Sequence, residues 1–189
     1  MKTFRKSIWR FVLLLLSFTL FGCYSYISDE AEQKFQALDE PFTVTVYPVN
    51  VVLGGPKIEH DKDLARDIMT FLSQENLAKP ILGTTDIKIA VQRSSIQPKM
   101  AKQSAIAFAS IIKETGIETD YALLVEILCN SGETGVHGVH FYLSDKTGSL
   151  ASGGLTNSKW EEFQEVQPHD RKGGLEVAKR MLHREWQRD

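Results

Sequence analysis

The chain has too little of most things for composition alone to name a chemistry. Two cysteines in 189 residues exclude a disulfide framework. A formal charge of −2, from 24 acidic and 22 basic side chains, excludes the strongly basic surface that general nucleic-acid binding needs. No apolar run approaches the roughly 20 residues of a membrane-spanning helix. The longest begins at Phe11-Val12-Leu13-Leu14-Leu15-Leu16 and ends at Phe21, interrupted by Ser17 and Thr19. Internal repeats and low-complexity tracts are absent. Gly54-Gly55-Pro56 is followed by no Gly-Lys-Ser/Thr, so there is no phosphate loop.

What is present is concentrated at the amino terminus. Lys2, Arg5, Lys6 and Arg10 precede the apolar run, and Leu20-Phe21-Gly22-Cys23 closes it. A basic n-region, a short h-region and a small residue before the junction make a signal segment over residues 1–22. The junction resembles the bacterial lipoprotein signal, with Leu20 three residues before the cysteine and Gly22 just before it. The resemblance implies cleavage between Gly22 and Cys23 and acylation of Cys23, whose two or three chains would hold the protein stably on a membrane. Tyr24 stands where an Asp marks inner-membrane retention in enterobacterial lipoproteins. Its place in that pattern implies the periplasmic face of the outer membrane. Removal of residues 1–22 leaves 167 residues, enough for one domain with a real core. The removed segment carries four cations and no acids, so the remainder is acidic, near −6. With Cys23 acylated, only Cys129 remains, and no intrachain disulfide can form.

Residues 23–40 are polar and acidic and read as a tether, briefly helical from Asp29 to Leu38. Residues 41–189 read as one globular domain. Phe42–Tyr47 alternates and is β-branched, so it is a strand, and Val49–Leu53 extends it past Pro48. Asp61 caps a helix whose stripe is Leu64, Ile68, Phe71 and Leu72, ending near Gln74 or Leu77. Ile81-Leu82-Gly83 reads as a break and Ile87, Ile89 and Val91 as a second strand. Arg93–Pro98 reads as loop. Ala101, Ala105, Phe108 and Ile112 stripe the next helix, which ends at Gly116. Tyr121–Cys129 is nearly continuous in apolar character, as a strand covered on both faces should be, and is placed at the sheet centre. Val139–Leu143 and Leu150–Leu155 flank a turn closed by Gly148. Leu175, Ala178, Met181, Leu182 and Trp186 mark a last helix. The order β-α-β-α-β-β-β-α predicts an α/β (α+β) domain of two or three layers, a mixed sheet with helices packed on it.

This order, with the join Lys113-Glu114-Thr115-Gly116 to Asp120-Tyr121-Ala122-Leu123 and the turn Asp145-Lys146-Thr147-Gly148, carries a further resemblance. Residues 41–187 resemble the α/β domain of the TolB amino-terminal region, of curli-secretion lipoproteins and of the lipoprotein activators of penicillin-binding proteins. The resemblance implies a non-catalytic, partner-binding envelope module; an envelope protein or a second copy is the expected partner, and no cofactor is expected.

Four constellations carry possible chemistry. His137 and His140, across a turn from Cys129, suggest a small hydrolase or a metal site; strand histidines three apart, however, face opposite sides. Ser110-Ile111-Ile112-Lys113 with Lys146-Thr147-Gly148 imitates active-serine enzymes of peptidoglycan and penicillin chemistry, without the Ser-Asp-Asn element. His60-Asp61-Lys62-Asp63 reads as a metal loop or, more simply, as helix capping. Lys179, Arg180, Arg184 and Arg188 read as a solvated helix face or as a surface for anionic lipid. None of the four supplies a full catalytic or metal-ligand set, and the expectation is neither enzyme nor metalloprotein.

Overall fold

The computed structural model describes residues 26–54, 57–89, 97–132 and 134–187. Gly22, Cys23 and the rest of residues 1–25 lie outside the described residues. In chain order the elements are α1 (Asp29–Gln36), β1 (Phe42–Val46), β2 (Val49–Leu53), β3 (Lys57–Asp61), α2 (Lys62–Gln74), β4 (Ala78–Leu82), α3 (Gln97–Thr115), β5 (Tyr121–Cys129), β6 (Val136–Asp145), β7 (Leu150–Asn157), α4 (Glu161–Val166) and α5 (Arg171–Trp186). The domain is mixed α/β: the described strands form one seven-stranded mixed sheet with the five described helices packed on it.

β5 is its axis. One edge of β5 pairs antiparallel with β6 along its whole length, and β6 with β7. The other edge pairs in parallel with β1 at Tyr121–Leu123 and with β2 at Glu126–Cys129. β1 and β2 therefore lie end to end as one interrupted strand. Val46 stands opposite Leu123 and Asn50 opposite Glu126, so three residues on one side face two on the other. That extra residue is a bulge at Tyr47-Pro48, where proline's missing N–H does no harm. It also changes parity: Val44 and Val46 share a face with Val49, Val51 and Leu53, while Tyr47 turns to the other. β4 pairs outside β1, and β3 outside β2.

The two faces are covered by different helices. α1, α2, α4 and α5 cover one, over Val44, Val51, Leu123, Ile127 and Phe141. α3 covers the other, over Tyr47, Ala122, Leu124 and Tyr142. α2 joins β3 to β4, both outside the β1–β2 line, and α3 carries the chain back from β4 to the parallel strand β5 over the other face. Asp61 Oδ1 caps α2, accepting from the amides of Asp63 and Leu64, each at 3.0 Å. Residues 26–36, read as tether, are docked: Phe35 is buried edge-on against Phe42, Tyr121 and Trp186.

Three sequence readings need correction. Ile81 and Leu82, read with Gly83 as a break, end strand β4 (Ala78–Leu82); it holds Pro80 because it lies at a sheet edge. Ile87 and Ile89 are not in a strand. They are buried beneath α3 while Lys88 is exposed, so the alternation records burial of an extended segment without a ladder. Val91 lies outside the described residues. Of the segment read as loop, Gln97 and Pro98 form the first turn of α3, where proline is tolerated.

Two glycines have the left-handed backbone the sequence assigns them. Gly116 has φ +71°, and a β-carbon placed there would have nothing within 4 Å. At Gly148, φ +78°, a β-carbon would meet Lys113 Cβ at 2.6 Å and the Ala109 carbonyl oxygen at 2.7 Å. Gly116→Ala is expected to cost about 1 kcal/mol, the conformational part alone. Gly148→Ala carries the same strain and adds a backbone collision, so its urea midpoint falls further. Equal midpoints would contradict the packing of the 145–149 turn on α3.

Candidate functional site

On the α3 face, where Leu124 and Ala122 are apolar, one row of side chains is not. Strand pairing places His60 opposite Asn50, Asn50 opposite Glu126, and Glu126 opposite His140. The four residues cross β3, β2, β5 and β6 in a line, and Tyr142 stands two residues further along β6, on the same face by the period-2 rule. Asn50, Glu126, His140 and Tyr142 are all buried, at 2% exposure or less.

Each contact in the row has a definite sense. The Tyr142 hydroxyl donates to Glu126 Oε2 at 2.9 Å. Having one proton, it is then the acceptor toward His140 Nδ1 at 3.0 Å. Ser104 of α3 is buried on the same side of the sheet. Asn50 Nδ2 donates to the Ile87 carbonyl at 3.2 Å, and Asn50 Oδ1 lies 2.8 Å from His60 Nδ1. Glu126 Oε1 and His140 Nε2 make no hydrogen bond among the described residues. Burial first, and then the Glu126 charge, push the Tyr142 phenol well above its ordinary value of 10, with Ser104 opposing. Tyr26 packs edge-on to Tyr142 at 6.5 Å, and burial pushes its own phenol up to about 12.

A carboxylate, an imidazole and a phenol in mutual contact can share and move a proton. Here all three are buried, and their contacts tie β5 to β6 beneath α3. Tyr142→Phe removes the only donor described at Glu126 and is expected to cost about 1–3 kcal/mol at neutral pH. The pH dependence carries the opposite sign. A phenol that titrates higher when folded gives stability that is whole below pH 10 and lost as pH climbs from 10 toward the folded value. Denaturant titrations above pH 10 should therefore show a shallower loss in Tyr142→Phe than in the wild type. Parallel curves would place Tyr142 in contact with solvent.

The predicted site residues fall apart. Cys129 is buried in the cluster on the α2/α5 face, and His140 lies on the α3 face, so the sheet separates thiol from imidazole. His137, at the bulged start of β6, is exposed. Ser110 and Lys113 are exposed on α3, with the Ser110 hydroxyl turned to Glu114. Thr147 is occupied by Asp145, whose Oδ1 it meets at 2.7 Å. His60 turns to Asn50 and Asp61 to the α2 amides and Arg171, so that run is divided between a sheet and a cap. No group of three or more His, Cys, Asp or Glu among the described residues is placed to hold a metal ion. On α5, Lys179 pairs with Glu176, Arg180 with Glu165, and Arg184 with Glu162 and Glu185. Its basic face is matched by neighbouring carboxylates; Arg188 lies outside the described residues. These cations line an open groove of about 720 Å³ between α2 and α5, with Phe71 and the acids Asp67 and Glu75.

Sequence reasoning passed over Glu126, Asn50 and Tyr142. The signal was there for Glu126: a lone acid inside an apolar run that is covered on both faces must be buried and partnered.

No family model matches this chain, and no curated protein does. Among solved structures, the LpoB C-terminal domain from Salmonella enterica is similar at 17% identity, over 70% of this chain and 97% of that one, with a TM-score of 0.34. A likeness that distant carries no functional inference.

Proposed function

We propose that the protein is a lipid-anchored, non-catalytic interaction module of the cell envelope. The observation that carries the non-catalytic part is the sealing of Glu126, His140 and Tyr142, the convergent set of acid–base groups among the described residues, beneath α3. The separation of Cys129 from His140 by the sheet removes the geometry that a hydrolase built on that pair would need. The envelope address is supported by Lys2–Arg10, the apolar run and Leu20-Phe21-Gly22-Cys23. On this reading Cys23 bears the lipid, the protein faces the periplasm from the outer membrane, and its work is done by binding an envelope protein or a second copy.

The test is crosslinking in intact envelopes of the producing cell, followed by purification through a carboxyl-terminal tag. Discrete adducts with one envelope protein, or a covalent dimer, are expected. Repeated recovery of uncrosslinked protein only, with neither protein nor glycan attached, would remove the interaction reading.

A further inference from the structure

The fold takes hold of the chain almost at the anchor. Tyr26 lies against the α3-side cluster and edge-on to Tyr142. A side chain at Gly153 would meet its ring at 3.1 Å, so the glycine makes the seat. Ser28 donates its amide to the Leu150 carbonyl at 2.9 Å, on the outer edge of β7, and then caps α1. Cys23 precedes Tyr26 by three residues, and three residues reach at most about 10 Å when fully extended. An acylated Cys23 therefore leaves the domain no length with which to stand away from the bilayer.

The surface beside Tyr26 suits that position. Gln97 ties the start of α3 to β7, accepting from Asn157 Nδ2 at 2.7 Å. The outer stripe of α3 carries Lys99, Lys102, Ile106 and Lys113, at helical spacing. From Gln97 to Lys113 the helix has no acidic residue; Glu114 is the first. Lys99 and Lys113 make no ion pair with any described residue. Ile106, 53% exposed, stands among the lysines as one of few large apolar side chains turned to water. The acids Asp29, Glu30 and Glu32 belong to α1, which packs on the opposite face of the sheet. One side of the β7 edge is thus basic with an apolar centre, and the other is acidic. On α5, by contrast, Lys179, Arg180 and Arg184 are paired with carboxylates of that helix and of α4.

We propose that the outer face of α3, beside Tyr26 and the β7 edge, seats the domain on anionic phospholipid, with the lysines at the head groups and Ile106 in the interface. The proposal rests on acylation of Cys23 and specifies which surface that anchor brings to the membrane.

The test uses the acylated full chain in vesicles of phosphatidylglycerol and phosphatidylcholine. An environment-sensitive fluorophore is placed at Ile106→Cys and, separately, at Lys172→Cys on α5; the native Cys129 is buried. The 106 label is expected to shift to the blue and to be quenched by doxyl-labelled lipid about threefold more than the 172 label. Lys99→Glu with Lys113→Glu, or vesicles of phosphatidylcholine alone, should return it to the aqueous spectrum while the protein still floats with the lipid. Flotation together with fatty-acid labelling reads the anchor separately. An unacylated protein overturns the anchor and this proposal with it. An acylated, floating protein whose 106 label stays aqueous overturns this proposal alone, and so does an interfacial 106 label indifferent to lipid charge and to the glutamate pair.

Discussion

Leu124→Asp should abolish cooperative folding. Leu124 is fully buried near the middle of β5, opposite Tyr142 on β6 and in the cluster that α3 covers. The substitution loses the burial of a leucine, about 1.5–3 kcal/mol. It also buries a second carboxylate beside Glu126, facing Tyr142, whose single hydroxyl proton is already given to Glu126, which costs several kcal/mol more. A domain of this size has about 5–15 kcal/mol in all, so the two losses consume most or all of it. The expected result is loss of the near-ultraviolet signal and of any sigmoidal melt, with material recovered in aggregates. Ile81→Asp is the control, because Ile81 is 56% exposed on edge strand β4 and its change should stay within about 0.5 kcal/mol. A cooperative melt of Leu124→Asp near the wild-type temperature would show that β5 is not the axis of the sheet.

The same strand shows why much of the fold was legible. Tyr121–Cys129 is apolar in both parities, and only a strand between two helical layers needs that. α2 and α5 were legible because their buried residues recur at helical spacing behind Asp61 in one case and end at Trp186 in the other. β4 was not, because an edge strand needs neither alternation nor strong propensity; Ala78-Lys79-Pro80-Ile81-Leu82 is a strand only because β1 offers it a ladder. β3 was hidden for the same reason: Lys57–Asp61 is partly exposed and polar, and takes its conformation from pairing with β2. Ile87 and Ile89 misled in the opposite direction, since one-sided burial writes the same period-2 pattern as a sheet.

The candidate site was less legible because it is made across strands. His60 and Asn50 share one hairpin and Glu126 and His140 another, and the two pairs meet only through the β2–β5 register, which no local pattern encodes. Pairwise spacing suggested His137 with His140 instead. The pleat sends those two apart, one exposed and one buried. Glu126 was the recoverable member. Its partners were not, because a buried acid announces that it needs a donor and says nothing about which strand supplies it.

The second large effect is expected at Cys23, by the anchor reading. Cys23→Ala removes the thiol that would take the acyl chains, and with it the cleavage that depends on acylation. The precursor should keep its apolar segment, run larger on a gel or be lost to proteolysis, and take up no clickable fatty acid, whereas the wild type is marked and begins at Cys23. The loss should be close to complete, because one sulfur carries the linkage and Cys129 is buried within the domain. Folding from Tyr26 onward should be unchanged, since every core contact the structure describes, that of Tyr26 included, lies beyond Cys23. The urea midpoint of the domain therefore separates loss of anchorage from loss of structure: it should match the wild type even as membrane association is lost or passes to an uncleaved signal. A mutant that is still labelled, or a mature amino terminus elsewhere than Cys23, would sink the anchor. Run on separated membranes, the same comparison reads the role of Tyr24: wild-type protein in the outer-membrane fraction, and a Tyr24→Asp variant held in the inner one, are the results that the sorting pattern requires.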